Sequence, residues 1–125
     1  AKQVYFTKEM KNHHGGMVLV GDYLYGVDDR TLTCLEFKTG KVMWADRSPG
    51  KGSVVYADGN LYVRSEDKTG PVVLVEATPT GYNEKGRFTP PDRSGQPSWP
   101  YVVIANGKMY IRDMNTLLCY DIKQR

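Results

Sequence analysis

Apolar and polar residues alternate along most of this chain, or apolar residues run in fours, and each run stops at Gly, Asp or Asn. A helical repeat of apolar positions is almost absent. Period-two patterning cut by turn residues is the mark of β-strands joined by tight turns. The pattern predicts a short strand at 2–7 (KQVYFT), then a polar stretch at 8–16 that holds both histidines, His13 and His14. Strands follow at 17–20, 23–27, 32–37 and 41–44, with turns at Gly21-Asp22, at 28–30 and at Thr39-Gly40. The continuous apolar run at 17–20 reads as a strand buried on both faces.

The same unit then recurs. An apolar run at 54–57 meets the turn Asp58-Gly59, and strands are predicted at 60–64, 71–76 and 82–88, the last after a turn around Pro79-Thr80-Gly81. The stretch 89–98, rich in Pro, Gly and Ser, has the composition of a surface loop. A third copy runs through 101–105, the turn Asn106-Gly107, 108–112 and 116–122. The copies can be placed in register. Tyr25, Tyr62 and Tyr110 share one position, 37 and 48 residues apart, and Glu36, Glu76 and Asp121 share another, 40 and 45 apart. Four strands recurring at about 40 residues are the sequence signature of a β-propeller blade. A three-sheet sandwich or barrel accounts for short strands, but not for the return of the same tyrosine and acid. The chain is therefore expected to be all-β, a single partial propeller-type domain of about three four-stranded antiparallel blades over residues 1–125. Residues 1–7 read as the outer strand of a preceding or closing blade, 13–47 as blade 1, 50–88 as blade 2 and 98–125 as an incomplete blade 3.

The best-formed copy is CLEFKTGKVMW, from Cys34 to Trp44. It resembles the quinoprotein-type (pyrroloquinoline-quinone-like, PQQ-like) propeller repeat, in which Ala-x-Asp-x-x-Thr-Gly-x-x-x-Trp closes each blade. Cys34 stands for the alanine and Glu36 for the aspartate. The resemblance implies structural roles: Glu36, Thr39 and Gly40 fasten the outer strand, and Trp44 packs between neighbouring blades. The second copy keeps Glu76 and Gly81, with Phe88 standing in for the tryptophan; the third keeps Cys119 and Asp121. The resemblance covers nearly the whole chain, which looks like the last three blades of a bacterial protein of this kind. It implies the fold and an exported or periplasmic location, but not the cofactor. It leaves three readings open. The chain is a binding or scaffold module without catalysis of its own; or part of a quinone-dependent dehydrogenase, with PQQ and calcium held mostly by residues elsewhere; or an outer-membrane-assembly-type scaffold that binds peptide strands.

Charge and composition narrow the partners. The net charge of +3 is mild, and the 17 basic residues are spread among 14 acids, so electrostatic capture of nucleic acid is not expected. No apolar run approaches the ~18 residues of a membrane helix, and no apolar leader opens the chain. The chain starts at Ala1, as expected of a processed product or a piece of something longer. Three blades are too few to close a ring of ~4–8. Exposed sheet edges and apolar faces are therefore expected to drive self-association, or to pack on the remaining blades of a longer chain. Cys34 and Cys119 lie in apolar strand runs and are expected as buried free thiols.

Little in the sequence points to chemistry. His13 and His14 are adjacent, so on a strand they would point to opposite faces, and no further ligand stands at metal-binding spacing. Asp28-Asp29 lacks the alternating acids of a calcium loop. Lys38-Thr39-Gly40-Lys41 and Gly50-Lys51-Gly52-Ser53 lack the spacing and following helix of a phosphate loop. No nucleophile motif is present, so no catalytic residue, metal or cofactor is assigned. What remains is a surface. In a blade, the loop before the first strand and the loop after the second share one end. Aligning back from Val20, Ala57 and Ala105 makes His14, Lys51 and Trp99 equivalent. That end collects His13, His14, Lys51 and Trp99 with Asp28, Asp29, Arg30, Glu66, Asp67, Arg112 and Asp113, and it is the expected ligand or partner surface.

Overall fold

A computed structural model of the chain describes residues 1–12, 16–47, 50–67, 70–91, 94–96 and 100–123. Among the described residues there is no helix, and eleven strands form three antiparallel sheets. Blade 1 is β1 (Val18–Val20), β2 (Tyr23–Val27), β3 (Leu32–Glu36) and β4 (Val42–Asp46). Blade 2 is β5 (Gly52–Ala57), β6 (Asn60–Ser65), β7 (Val72–Glu76) and β8 (Glu84–Phe88). Blade 3 has three strands, β9 (Val103–Ala105), β10 (Lys108–Asp113) and β11 (Thr116–Asp121). Within each sheet every strand pairs only with its neighbours in the chain. The fold is all-β, a partial propeller-type array, as the patterning predicts.

The strand register repeats residue by residue. Tyr25 lies opposite Val18 and Cys34, Tyr62 opposite Val55 and Leu74, and Tyr110 opposite Val103 and Cys119. The repeated acid always faces the residue two before the tyrosine: Tyr23 with Glu36, Asn60 with Glu76, Lys108 with Asp121. One backbone brace also recurs. Phe37 N donates to Asp22 O, Ala77 N to Gly59 O and Ile122 N to Gly107 O, at 2.8, 3.0 and 3.0 Å. It ties the end of the third strand to the first hairpin turn. Asp58-Gly59 and Asn106-Gly107 put both turn residues at positive φ, the geometry of the two-residue turn that matches strand twist.

Successive apolar side chains point to opposite sides of a strand, so the apolar runs give each blade two apolar faces. Tyr25, Val27, Leu32 and Cys34 of blade 1 pack against Val54, Leu61, Val63, Val73 and Val75 of blade 2. The other face of blade 2, with Val55, Tyr62, Val72 and Phe88, meets Val102, Met109 and Ile111 of blade 3. The core is thus two inter-blade layers rather than one central mass.

Three expectations are corrected. Residues 2–7 form no strand. Tyr5 instead docks side chain first, its hydroxyl donating to Phe37 O at 2.8 Å, while Val4 and Phe6 stay exposed. Its ring lies over Gly40, on the β3–β4 turn rather than alongside the free edge of β4, so no ladder can form. Second, β1 is not buried on both faces: Leu19 is 52% exposed, because only blade 2 covers this strand as a sheet. Third, both cysteines are free, but Cys119 is exposed where Cys34 is buried. Cys119 lies on the outward face of the last sheet.

Gly52 marks the closest backbone approach. It lies opposite Ser65, and a Cβ there would collide with the backbone carbonyl of Arg64. Gly52→Ala is expected to destabilise the fold by about 1–3 kcal/mol through overpacking. Urea unfolding checks this, and an unchanged midpoint would contradict the packing.

Candidate functional site

The register puts the entry to each first strand and the exit of each second strand at the same end of the sheet (Val18 with Tyr25, Gly52 with Ser65). At that end Lys51 Nζ pairs with Glu66 Oε1 at 2.9 Å, and Glu66 N donates to Lys51 O at 2.9 Å. Asp67 N donates to Ser65 Oγ. The Asp28 carboxylate accepts Arg30 N at 2.8 Å and Thr31 N at 2.7 Å, so it shapes its own turn and leaves Asp29 and Arg30 exposed. Asp113 is buried and accepts both Ser94 N, at 2.7 Å, and Ser94 Oγ, at 2.9 Å, which ties Ser94 to blade 3. Arg112 Nε donates to Met114 O at 3.1 Å. Gly16 N donates to the Tyr101 hydroxyl, joining the entries of blades 1 and 3. His13, His14 and Trp99 lie outside the described residues. The structure therefore brings Lys51 to Glu66, spends Asp28 and Asp113 on holding loops, and leaves Asp29 and Arg30 to solvent. Among the described residues, no group of three His, Cys, Asp or Glu side chains is close enough to hold a metal ion.

The strongest polar feature here is one the sequence reading passed over. Arg64 has no exposed surface. Its guanidinium crosses from blade 2 to blade 3, Nη1 donating to Pro100 O at 2.9 Å and Nη2 to Arg112 O at 2.8 Å. A buried cation is tolerable when carbonyl dipoles replace its water. The signal lay in the pattern: Arg64 takes the register position held by Val27 in blade 1, directly after the apolar run Leu61–Val63.

At the opposite end, the closing motif resolves into separate devices. In blade 1 the Glu36 backbone closes the turn, its N donating to Lys41 O and its O accepting from Gly40 N, both at 2.8 Å. Thr39 Oγ1 accepts from Lys41 N, and Gly40 has φ +74°, with Tyr5 where a Cβ would stand. In blade 2 the acid side chain takes part: Glu76 Oε2 accepts from Asn83 Nδ2 at 2.7 Å. Gly81 sits in the longer 77–83 connection, and the Asp121 carboxylate accepts from Lys123 N. Trp44 bridges two blades. Its Nε1 donates to Thr78 O at 2.7 Å, and its ring lies 6.1 Å from Tyr25 and 5.9 Å, edge-on, from Tyr82.

Phe88 does not occupy the tryptophan's place. Both third strands carry an irregularity at equivalent points, after Cys34 and after Leu74. Counted through it, Cys34 faces Trp44 and Leu74 faces Gly86, while Phe88 faces Val72 as Asp46 faces Leu32. The longer 77–83 connection hid this offset of two. Phe88 instead packs edge-on against Tyr120 of blade 3, at 5.0 Å between ring centres. Beside Gly86 the blade 2–blade 3 interface opens into a cleft of about 280 Å³, walled by Tyr62, Leu74, Phe88, Met109 and Ile122. A wider groove of about 590 Å³ adjoins it, bordered by Asp58, Asn60, Lys85 and Lys123. Burial raises the Tyr62 phenol above its ordinary value, with Asp58 adding to the shift.

The sequence matches no family model and no curated protein.

Trp44 is partly buried, so Trp44→Ala is expected to cost about 2–4 kcal/mol, somewhat below the range for a fully buried aromatic. Trp44→Phe keeps a ring but leaves the Thr78 carbonyl without its donor, for about 1–3 kcal/mol. Normal stability of both variants in chemical unfolding would refute the inter-blade role. Alkali supplies a second check. Burial, with Cys34 alongside, raises the Tyr25 phenol well above its ordinary value of 10.0. The unfolded chain then releases this proton first, so stability is full below about pH 10 and falls as pH rises beyond it. Tyr25→Phe should flatten that fall; an identical alkaline profile would contradict the assignment.

Proposed function

We propose that this chain is a binding and scaffold module of a quinoprotein-type propeller, whose work is to pack against a further blade rather than to catalyse a reaction. The resemblance of the 34–44 motif supports the type, and through it an exported location. The observation that carries the scaffold reading is the outward face of blade 3. Register makes Leu32, Val72 and Leu117 equivalent, and they are 0%, 3% and 68% exposed. Val103 is 57% exposed at the position of Val18 and Val55, both at least half-buried. Blades 1 and 2 use these positions to receive the next blade, and blade 3 presents the same set to solvent. Arg112 stands at Arg64's register position on that face, so its guanidinium is placed to take carbonyls of an incoming blade as Arg64 does.

An apolar face of this kind is an association site. Sedimentation of the chain over a wide concentration range is expected to show reversible self-association. The double variant Leu117→Lys and Val103→Lys should weaken it at least about tenfold, since two desolvated ammonium groups would face the incoming sheet. A wild-type monomer at high concentration would overturn the proposal.

A further inference from the structure

We propose that the cleft between blades 2 and 3, beside Gly86, binds a planar aromatic group of indole size that carries an N–H donor. The site is independent of the outward face of blade 3.

The argument starts from the internal repeat. The interface between blades 1 and 2 holds the Trp44 indole, seated against Tyr25 and opposite Cys34. In the interface between blades 2 and 3, Tyr62 and Leu74 take the places of Tyr25 and Cys34, and Gly86 takes the place of Trp44. The fold has thus built the walls of an indole site twice and filled it from its own chain once. The backbone does not demand glycine at this position, because Gly86 is not among the residues at positive φ. A Cβ built on it meets nothing within 4 Å, so the room lies where a side chain would project.

The lining suits an aromatic guest. The phenol of Tyr62 and the ring of Phe88 offer edge-to-face partners, and the Met109 thioether packs well against ring edges. Leu74 and Ile122 supply apolar walls. About 280 Å³ is close to the lower end of small-molecule pockets, and too small for a bulky ligand. The donor requirement follows from the repeat. In blade 1 the indole N–H donates to Thr78 O of the next blade, two residues past the repeated acid Glu76. Lys123 stands at that place after Asp121 in blade 3 and borders the adjoining groove. A guest that carries a donor matches a backbone carbonyl at that position.

Indole added to the full chain tests this, followed by amide chemical shifts. Saturable shifts are expected at Gly86 and Arg87 with a Kd of roughly 1 mM or tighter, the scale for a ligand of this size. 1-Methylindole, which lacks the donor, should bind several-fold more weakly. Gly86→Trp should raise the melting temperature by filling the cleft and weaken indole binding at least about tenfold. Gly86→Leu, a smaller intrusion, keeps the test alive if the tryptophan variant does not fold, and it should also weaken binding. A blocked peptide containing one tryptophan separates the sources. Binding about tenfold tighter than indole assigns a polypeptide partner, and equal binding assigns a small aromatic molecule. No shifts at Gly86, equal binding of 1-methylindole, or undiminished binding in both Gly86 variants would overturn the proposal.

Discussion

Each sheet in this chain has apolar residues on both faces, so each needs a neighbour on both sides. That constraint follows from strands of three to six residues on which successive apolar side chains point to opposite faces, and the rest of the structure depends on it. Blade 2 satisfies it fully: Val54, Leu61 and Val63 face blade 1, while Val55, Tyr62 and Val72 face blade 3. Blades 1 and 3 satisfy it on one side only. The far side of blade 1 is partly covered by the N-terminal stretch, with Met10 against Gly26 and Tyr5 over Gly40. The far side of blade 3 has Val103 and Leu117 in solvent. A monomer with this face bare carries a free-energy cost that another blade would remove.

The two inter-blade layers solve the same packing problem by different means. Between blades 1 and 2 the solution is aromatic: Trp44 lies between Tyr25 and Tyr82 and anchors its nitrogen on Thr78. Between blades 2 and 3 the work is split. Arg64 holds the loop end through two carbonyls, Phe88 meets Tyr120, and the place corresponding to Trp44 is a cleft. The array is therefore not a stack of equal units. One interface is filled by the Trp44 indole, and the other keeps space beside a glycine that the backbone does not require.

Much of this was legible from residue order. The recurrence of Tyr25, Tyr62 and Tyr110 with Glu36, Glu76 and Asp121 marks equivalent positions in the sheets, because each pair stands on the second and third strands of its blade, where one buried face fixes the register whatever the length of the turn between them. The Phe88 position was not legible, because the longer 77–83 connection shifts the count without altering the apolar pattern. Arg64 was missed for a related reason. A charge in a strand reads as an outward residue, and only the carbonyls of the next blade, 36 and 48 residues away in sequence, make burial tolerable. The loop-end surface was legible as a location, since topology alone sets it. The uses of its acids were not, because Asp28 and Asp113 are committed to backbone and Ser94 donors that composition does not reveal.

The central claim is that the outward face of blade 3 is a blade-receiving interface. Amide hydrogen exchange on dilute and concentrated protein tests it most directly. The account predicts that protection in β10 and β11 rises with concentration while β2 and β3, already covered by blade 2, stay unchanged. Protection in β10 and β11 that does not vary with concentration would contradict it.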